Sequence, residues 1–355
     1  MSDLLNIGRA ALKVNARALE VVGANVANAE NPDYVRKTLN IGDTAGYSAI
    51  NPLYSNQTGL GGVQVNSMSR SSDQFLEAAT RQTGASRVSA EVLEQWLNQG
   101  EIALSNNDLD VGAQLTQLFG TAEELSAIPV EPALRNQFIG DVEATVQRFN
   151  QTSLNLTSTI TLINGAASQE AAELNNALAE LAEVNQKLRP TQTGTGQHAA
   201  LLDRRDAALT VITEKLDVEI NFGNNGTADI SRNGTSLLTF NAVSPVNFVA
   251  NAGGSFDIDV GGTIQAAPNN GTLGGLHRAQ SKLVNVSNDL DSLAVQFANE
   301  INGWQANGRT DAGAAGAAIV AHGGTAASLS TTGLSADALA LAAGLAHSYR
   351  NRTRL

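Results

Sequence analysis

The sequence predicts a mainly α protein: an elongated multi-helix bundle that carries a small β domain as an insert. Three observations lead there. Apolar residues recur at three- and four-residue spacing over most of the 355 positions. From 218 to about 276 that texture gives way to Gly, Asn and β-branched residues. A long apolar period then resumes, so the chain leaves a helical body and re-enters it. The divisions expected are a terminal helix at 1–35, a helical bundle domain at 36–217 with an irregular or hairpin segment near 36–70, a β insert at 218–276, a return helix at 277–306, and a Gly/Ala-rich region with a last helix at 307–355.

The first element is an amphipathic helix over residues 3 to 28. Leu4, Ile7, Ala11, Val14, Ala18 and Val21 recur at three and four, and Leu5, Leu12, Leu19 and Val26 recur every seven beside them. Two adjacent seams, with Val22 between them, make a wide apolar face suited to more than one neighbour. Pro32 ends the helix region. Glycines at 42, 46, 59, 61 and 62, then the alternation of Val63 and Val65, read as loops and a hairpin. Helix is expected from Ser72 to Leu104 and from Val111 to Ile128, stopping at Pro129.

The longest regular pattern runs from Pro132 to Ile163. Phe138, Val142, Thr145, Phe149, Thr152, Leu156, Thr159 and Ile163 keep a heptad spacing whose threonines suit a bundle better than a tight two-stranded coil. Helix resumes from Glu170 to Leu188 and ends at Pro190. Thr191 to Gly196 reads as a flexible connector before a helix from Ala199 to Leu216. In the insert, Asn225-Gly226, Asn233-Gly234 and Asn270-Gly271 are turn signals between short strand-like runs. The return helix, Ala279 to Trp304, is carried by Leu283, Val286, Leu290, Leu293, Phe297, Ile301 and Trp304. A last helix is expected from Ser335 to about Tyr349, ahead of Arg350, Arg352 and Arg354.

Composition narrows the function classes. A net charge of −12 argues against nucleic acid as a partner of the whole chain. Aromatics at 4% suit aliphatic helix packing rather than an aromatic-lined pocket. The absence of cysteine excludes disulfides, thiolate metal sites and cysteine nucleophiles. No stretch is long and apolar enough to span a bilayer. Asp3, Arg9, Lys13, Arg17 and Glu20 interrupt any apolar core a signal peptide would need. Catalytic arrangements fail in turn, so no enzyme, cofactor or metal is expected. His198, His277, His322 and His347 are too far apart in sequence for a local metal pair. Gly194-Thr195-Gly196 lacks the Gly-Lys-Ser/Thr of a phosphate loop. Asp257 and Asp259 alternate with Phe256, Ile258 and Val260, as on the outer face of a strand. Asp203-Arg204-Arg205-Asp206 and Glu123-Glu124 read as solvated helix faces with local ion pairs.

The turn after the first helix is the informative place. It reads Ala24-Asn25-Val26-Ala27-Asn28-Ala29-Glu30-Asn31-Pro32-Asp33-Tyr34-Val35-Arg36-Lys37. This resembles the N-terminal signature of flagellar rod, hook and hook-associated proteins, with Asn25, Asn28, Asn31, Pro32, Tyr34 and Arg36 matching. Asp33 stands where the family usually has glycine. Long helices after the motif, together with Leu104–Phe119, Ile128–Arg135, Leu201–Asp206 and Gly271–Leu276, resemble the hook-associated protein 1 family over roughly residues 1 to 340.

That resemblance implies a flagellin-like, hook-associated-like structural subunit that joins hook to filament by self-assembly through terminal helices. The assembly contacts would fall on Leu4, Leu5, Ile7, Leu12, Leu19, Val22 and Val26. It implies an extracellular place in the bacterial flagellum, export through the flagellar secretion apparatus without a cleaved signal peptide, and as partners further copies, hook and filament-side subunits and an export chaperone. Family members finish with a long apolar helix that pairs with the first one. No such helix is evident before Arg354-Leu355, so the first helix is expected to be disordered or misplaced in the isolated subunit and assembly to be weak. The competing readings are a secreted coiled-coil adhesin or effector-like protein and, remotely, an enzyme in the β insert acting through Asp257 or His277.

Overall fold

The computed structural model describes residues 2–31, 34–44, 62–105, 110–251 and 254–342. In chain order the elements are α1 (Ser2–Ala27), β1 (Lys37–Asp43), β2 (Val63–Arg70), α2 (Gln74–Leu104), α3 (Val111–Ala127), α4 (Pro132–Leu188) and α5 (Gly196–Lys215). Then come β3 (Glu219–Phe222), β4 (Ala228–Arg232), β5 (Thr235–Thr239), β6 (Ala242–Val243), β7 (Val246–Ala250), β8 (Phe256–Val260) and β9 (Thr263–Gln265). The chain continues with α6 (Gly271–Asn307), β10 (Val320–Ala321) and β11 (Ser330–Thr331). The fold is mainly α with a β insert. It forms two compact units: Met1–Ala90 with Ser168–Val249 and Asp257–Gly275, and Glu91–Ala167 with Ala250–Phe256 and Leu276–Leu355. The strands expected at 218–276 therefore belong mostly to the first unit, together with α1 and α5.

In the first unit, α1 leads into an antiparallel β1–β2 pair that runs from Lys37↔Arg70 to Asp43↔Val63, with a bulge at Asn40/Ile41. The core is built by the second half of α4 and by α5. Leu174, Leu178, Leu181, Val184, Leu188, Leu209, Ile212 and Leu216 are all fully buried. β3 to β6 form a consecutive antiparallel sheet, and β7, β8 and β9 a second sheet. Asn233 (φ 48°) and Gly234 (φ 78°) join β4 to β5 through a two-residue turn with both residues left-handed, the geometry Asn-Gly favours. Asn185 ties α4 to the sheet. Its Nδ2 donates to the carbonyls of Ala228 (2.8 Å) and Phe240 (2.7 Å), and its Oδ1 accepts from the Ala228 amide (2.9 Å).

In the second unit, the heptad seam of α4 is the core. Phe138, Val142, Thr145, Phe149, Thr152, Leu156, Thr159 and Ile163 are all buried. Phe149 stacks on Phe297 of α6 at 5.7 Å, and Phe138 meets Trp304 edge-on at 5.6 Å. Two amides of α6 fasten the Gly/Ala-rich region. Asn302 Oδ1 accepts from the Ile319 and Val320 amides, and Gln305 bridges Ala338 and Ala340. Arg135 holds Asp311 through both guanidinium ends, at 2.8 and 3.1 Å.

Several expectations need correction. The helices expected at 132–163 and 170–188 are one helix of 57 residues. Gly165 costs about 1 kcal/mol of helix propensity, but Ile163, Ala167, Ala171 and Leu174 keep the stripe buried across it. α6 starts at Gly271 rather than Ala279, because Leu273 and Leu276 are buried and extend the packed face; Asn270-Gly271 therefore opens a helix instead of joining strands. The connector at 191–196 is pinned, since the Met68 amide of β2 donates to the Gly194 carbonyl at 2.7 Å. Of the helix expected from Ser335 to about Tyr349, the described part, to residue 342, holds a single helical turn at Ala336–Ala338. There Ala342 pairs with the backbone of Arg309 and Ala340 with Gln305, which diverts the backbone groups a helix needs. Residues 343–355, with the basic end and His347, lie outside the described residues. The first helix, expected to be disordered or misplaced, is a regular 26-residue helix against β1 and β2.

Candidate assembly face

The two seams of α1 have different fates. Val14 is 6% exposed, and Ile7, Ala11, Ala18 and Val21 are half-buried. This side faces β1 and β2, where Ile7 lies beside Ile41, Gly62 and Val63. The other seam is bare: Leu5 is 75% exposed, Leu12 and Leu19 73%, and Val26 71%. Leu4 and Val22 widen it and are exposed as well. At 3.6 residues per turn, Leu5 and Val14 point about 180° apart. Of the seven residues singled out from the sequence, Ile7 thus faces the hairpin while Leu4, Leu5, Leu12, Leu19, Val22 and Val26 face outward.

The turn residues fix how α1 leaves. Asn25 Nδ2 donates to the Lys37 carbonyl (2.9 Å), and its Oδ1 accepts from the Lys37 amide (3.0 Å) and the Tyr34 hydroxyl (3.0 Å). One side chain thus binds the first residue of β1 as a neighbouring strand would. Asn28 Nδ2 donates to the Ala24 carbonyl at 2.9 Å, which caps the last turn. The Asn31 amide donates to Asn28, and the Tyr34 amide to Asn31. Arg36 keeps its side chain exposed and accepts from the Ser71 amide through its carbonyl. Pro32 and Asp33 lie outside the described residues.

Beneath the turn is an ion network that the sequence reading missed. Lys37 Nζ sits 4.4 Å over the Tyr34 ring and 2.7 Å from Asp203. Arg70, at the end of β2, holds Asp203 at 2.8 Å and Asp206 at 2.6 Å. Arg205 pairs with Asp206, donates to the Gly226 carbonyl, and lies over the Phe222 ring. Asp203, Arg205 and Asp206 are largely buried, not solvated as expected; only Arg204 is half-exposed, paired with Glu180. One signal was available: Leu201, Arg205, Ala208 and Ile212 share a helical stripe, which places Arg205 on the apolar side. Glu123 and Glu124 are exposed, as expected.

The remaining candidates fall apart in space. His198 is buried, with Nε2 3.1 Å from the Asn225 carbonyl; His277 packs edge-on to Phe256; His322 is exposed beside Asn299. Among the described residues no group of three or more His, Asp or Glu is placed to hold a metal ion. No described helix is long and apolar enough to cross a membrane. The second unit has a bare apolar groove of about 610 Å³ between α3 and α6, where Phe119, Leu293 and Trp304 stay exposed.

Comparison with known proteins decides the family. Residues 97–319, well over half of the chain, match the family model described as flagellar hook-associated protein FlgK helical domain. This chain belongs to the FlgK family of flagellar hook-associated proteins. Flagellar hook-associated protein 1 of Salmonella typhimurium is 25% identical over 236 residues, 65% of this chain and 41% of that protein. The Escherichia coli K12 protein of the same name is 26% identical over 236 residues, again 65% of this chain, and 42% of its length is covered. The Bacillus subtilis one is 24% identical over 225 residues, 62% of this chain and 44% of that protein. The flagellar hook junction protein FlgK from Burkholderia pseudomallei superposes with a TM-score of 0.61 at 20% identity, covering 71% of this chain and 47% of that one, which shows the FlgK fold. The chain thus spans less than half the length of these relatives. The family is one of structural flagellar proteins.

Proposed function

We propose that this chain is a structural, non-enzymatic subunit of the bacterial flagellum that joins hook to filament by self-assembly through its terminal helix. The observation that carries this reading is the bare seam of α1. Four residues spaced by seven, each at least 71% exposed, lie opposite a face already covered by β1 and β2. An isolated chain gains nothing from such a seam, whereas a neighbouring helix would bury it. Asn25 supports the same reading, because it fixes the exit of α1 and so the direction in which the seam points. In this reading the partners are further copies, hook-side and filament-side subunits and an export chaperone. In this reading the chain reaches them through the flagellar secretion apparatus.

Complementation of a strain lacking its own junction protein tests this, with filaments scored by electron microscopy and shed flagellin measured in the medium. The expected result is restored filaments, with labelled chain at the hook–filament boundary. Export without filaments and without labelling of hook tips refutes the junction role. Diffuse label over the cell surface supports a secreted adhesin instead.

A further inference from the structure

A guanidinium offers five N–H donors and stays charged, so a buried one is ordinarily matched by acceptors. In the first unit Arg70 is matched by Asp203 and Asp206, and Arg205 by Asp206 and the Gly226 carbonyl. Arg232 is matched by Asp217, Gln265 and the carbonyls of Ala266 and Ala267. Arg81 on α2 is the exception. It is 7% exposed, its ion contact is Glu77 at a long 3.9 Å, and its Nε has no hydrogen-bond partner among the described residues. Asp206 attracts it from farther off, but Arg70 and Arg205 already occupy that carboxylate.

Arg81 lines a cavity of about 480 Å³ in this unit. One part of the wall is apolar, with Leu216 and Phe222; Gln82 and Asn233 line another part. Asp217 on the wall is neutralised by Arg232, and Glu219 is exposed. The Glu219 carboxylate disfavours a multiply charged anion such as phosphate, while the apolar wall favours a ligand with a hydrocarbon part. We propose that this cavity binds a singly charged carboxylate on a short aliphatic stem, anchored by Arg81. Burial pushes the Arg81 pKa down despite Asp206 and Glu77, with Arg205 pushing the same way, so an added carboxylate would relieve an undercompensated charge.

Two sources share this chemistry, a free carboxylic acid and an Asp or Glu side chain of a second copy; the latter rests on the self-assembly proposed above. The probe is sodium butyrate, titrated into the full isotope-labelled chain at constant ionic strength against sodium chloride. The reporters are the side-chain amide signals of Gln82 and Asn233. Saturable shifts with butyrate and not with chloride are expected. They should weaken at least about ten-fold in Arg81→Gln, the loss of one charge-assisted hydrogen-bond pair, and persist in Arg204→Gln. Ala78→Trp, at the cavity wall, should block the shifts while leaving the charge in place. Shifts that are linear, equal to those with chloride, or unchanged in both Arg81→Gln and Ala78→Trp overturn the proposal. If the same signals move with protein concentration alone and butyrate reverses that movement, the source is a second copy. If they move with butyrate only, it is a small carboxylate, whether or not the chain self-assembles.

Discussion

Replacing Leu5, Leu12 and Leu19 together by alanine separates assembly from folding. Fully burying a leucine side chain is worth about 1.5–3 kcal/mol relative to leaving it in water. These three are 75%, 73% and 73% exposed in the isolated chain. About a quarter of that value is therefore already spent on folding, and alanine recovers a few tenths of a kcal/mol in helix propensity. The triple variant should lose about 0.5–1.5 kcal/mol of folding stability. The remaining three quarters become available only when a neighbour covers the seam, about 1–2 kcal/mol per residue and about 3–6 kcal/mol in all, or a 10²- to 10⁴-fold weaker association. Val14→Ala, on the covered side of the same helix at 6% exposure, should do the reverse. It should cost roughly 1–2 kcal/mol of folding and leave association unchanged. Sedimentation velocity over a concentration series measures association, and urea unfolding measures folding stability. A wild-type chain that stays monomeric at every concentration refutes the reasoning. So does a triple variant that associates as wild type, or one that loses the stability expected of three buried leucines.

Asn185→Leu should cost about 2–4 kcal/mol, because it strands the Ala228 amide and two carbonyls that the buried amide now satisfies; thermal unfolding should fall well below that of an exposed control such as Gln151→Leu. Thr145→Val should instead stay within about 1 kcal/mol of wild type, since the hydroxyl donates only to the Asp141 carbonyl of its own helix and its removal leaves no buried donor unpaired. Asp311 is held below the usual carboxylate range by the Arg135 hydrogen bond, then by that residue's charge. Its contribution is thus present above the unfolded carboxylate pKa and lost as pH falls through the lower folded value. The melting temperature of wild type should therefore drop more steeply than that of Asp311→Asn between about pH 4 and pH 2, and parallel curves would sink this account.

The helices were readable because their apolar periods are long. Every residue of the Phe138–Ile163 heptad seam is buried, threonines included. Where reading failed, a local signal met a tertiary counterweight. The break expected between Ile163 and Glu170 does not form: Gly165 lies there, but one weak helix former cannot break a helix whose flanking turns are both packed. The Ala-rich stretch after Ser335 favours helix by propensity, yet Gln305 and Arg309 take its backbone groups into an extended path. Propensity is worth tenths of a kcal/mol per residue, while a satisfied buried hydrogen bond is worth about one, so the contact decides.

Both seams of α1 were apolar in the sequence, and nothing in their spacing said which would be covered. That choice is made by the hairpin, whose strands are separated from each other by residues 44–62 in sequence, pack along α1, and are joined to it through the turn. Asn25 is what couples them. It sits on the covered side of the helix, eleven residues after Val14, and its amide reaches β1 only if that side faces the hairpin. Rotating α1 by half a turn to cover Leu12 instead would expose Val14 and break three hydrogen bonds at Asn25. The polar turn motif and the apolar seam are thus parts of one device: the asparagine selects which seam folds inward, and by exclusion which stays exposed.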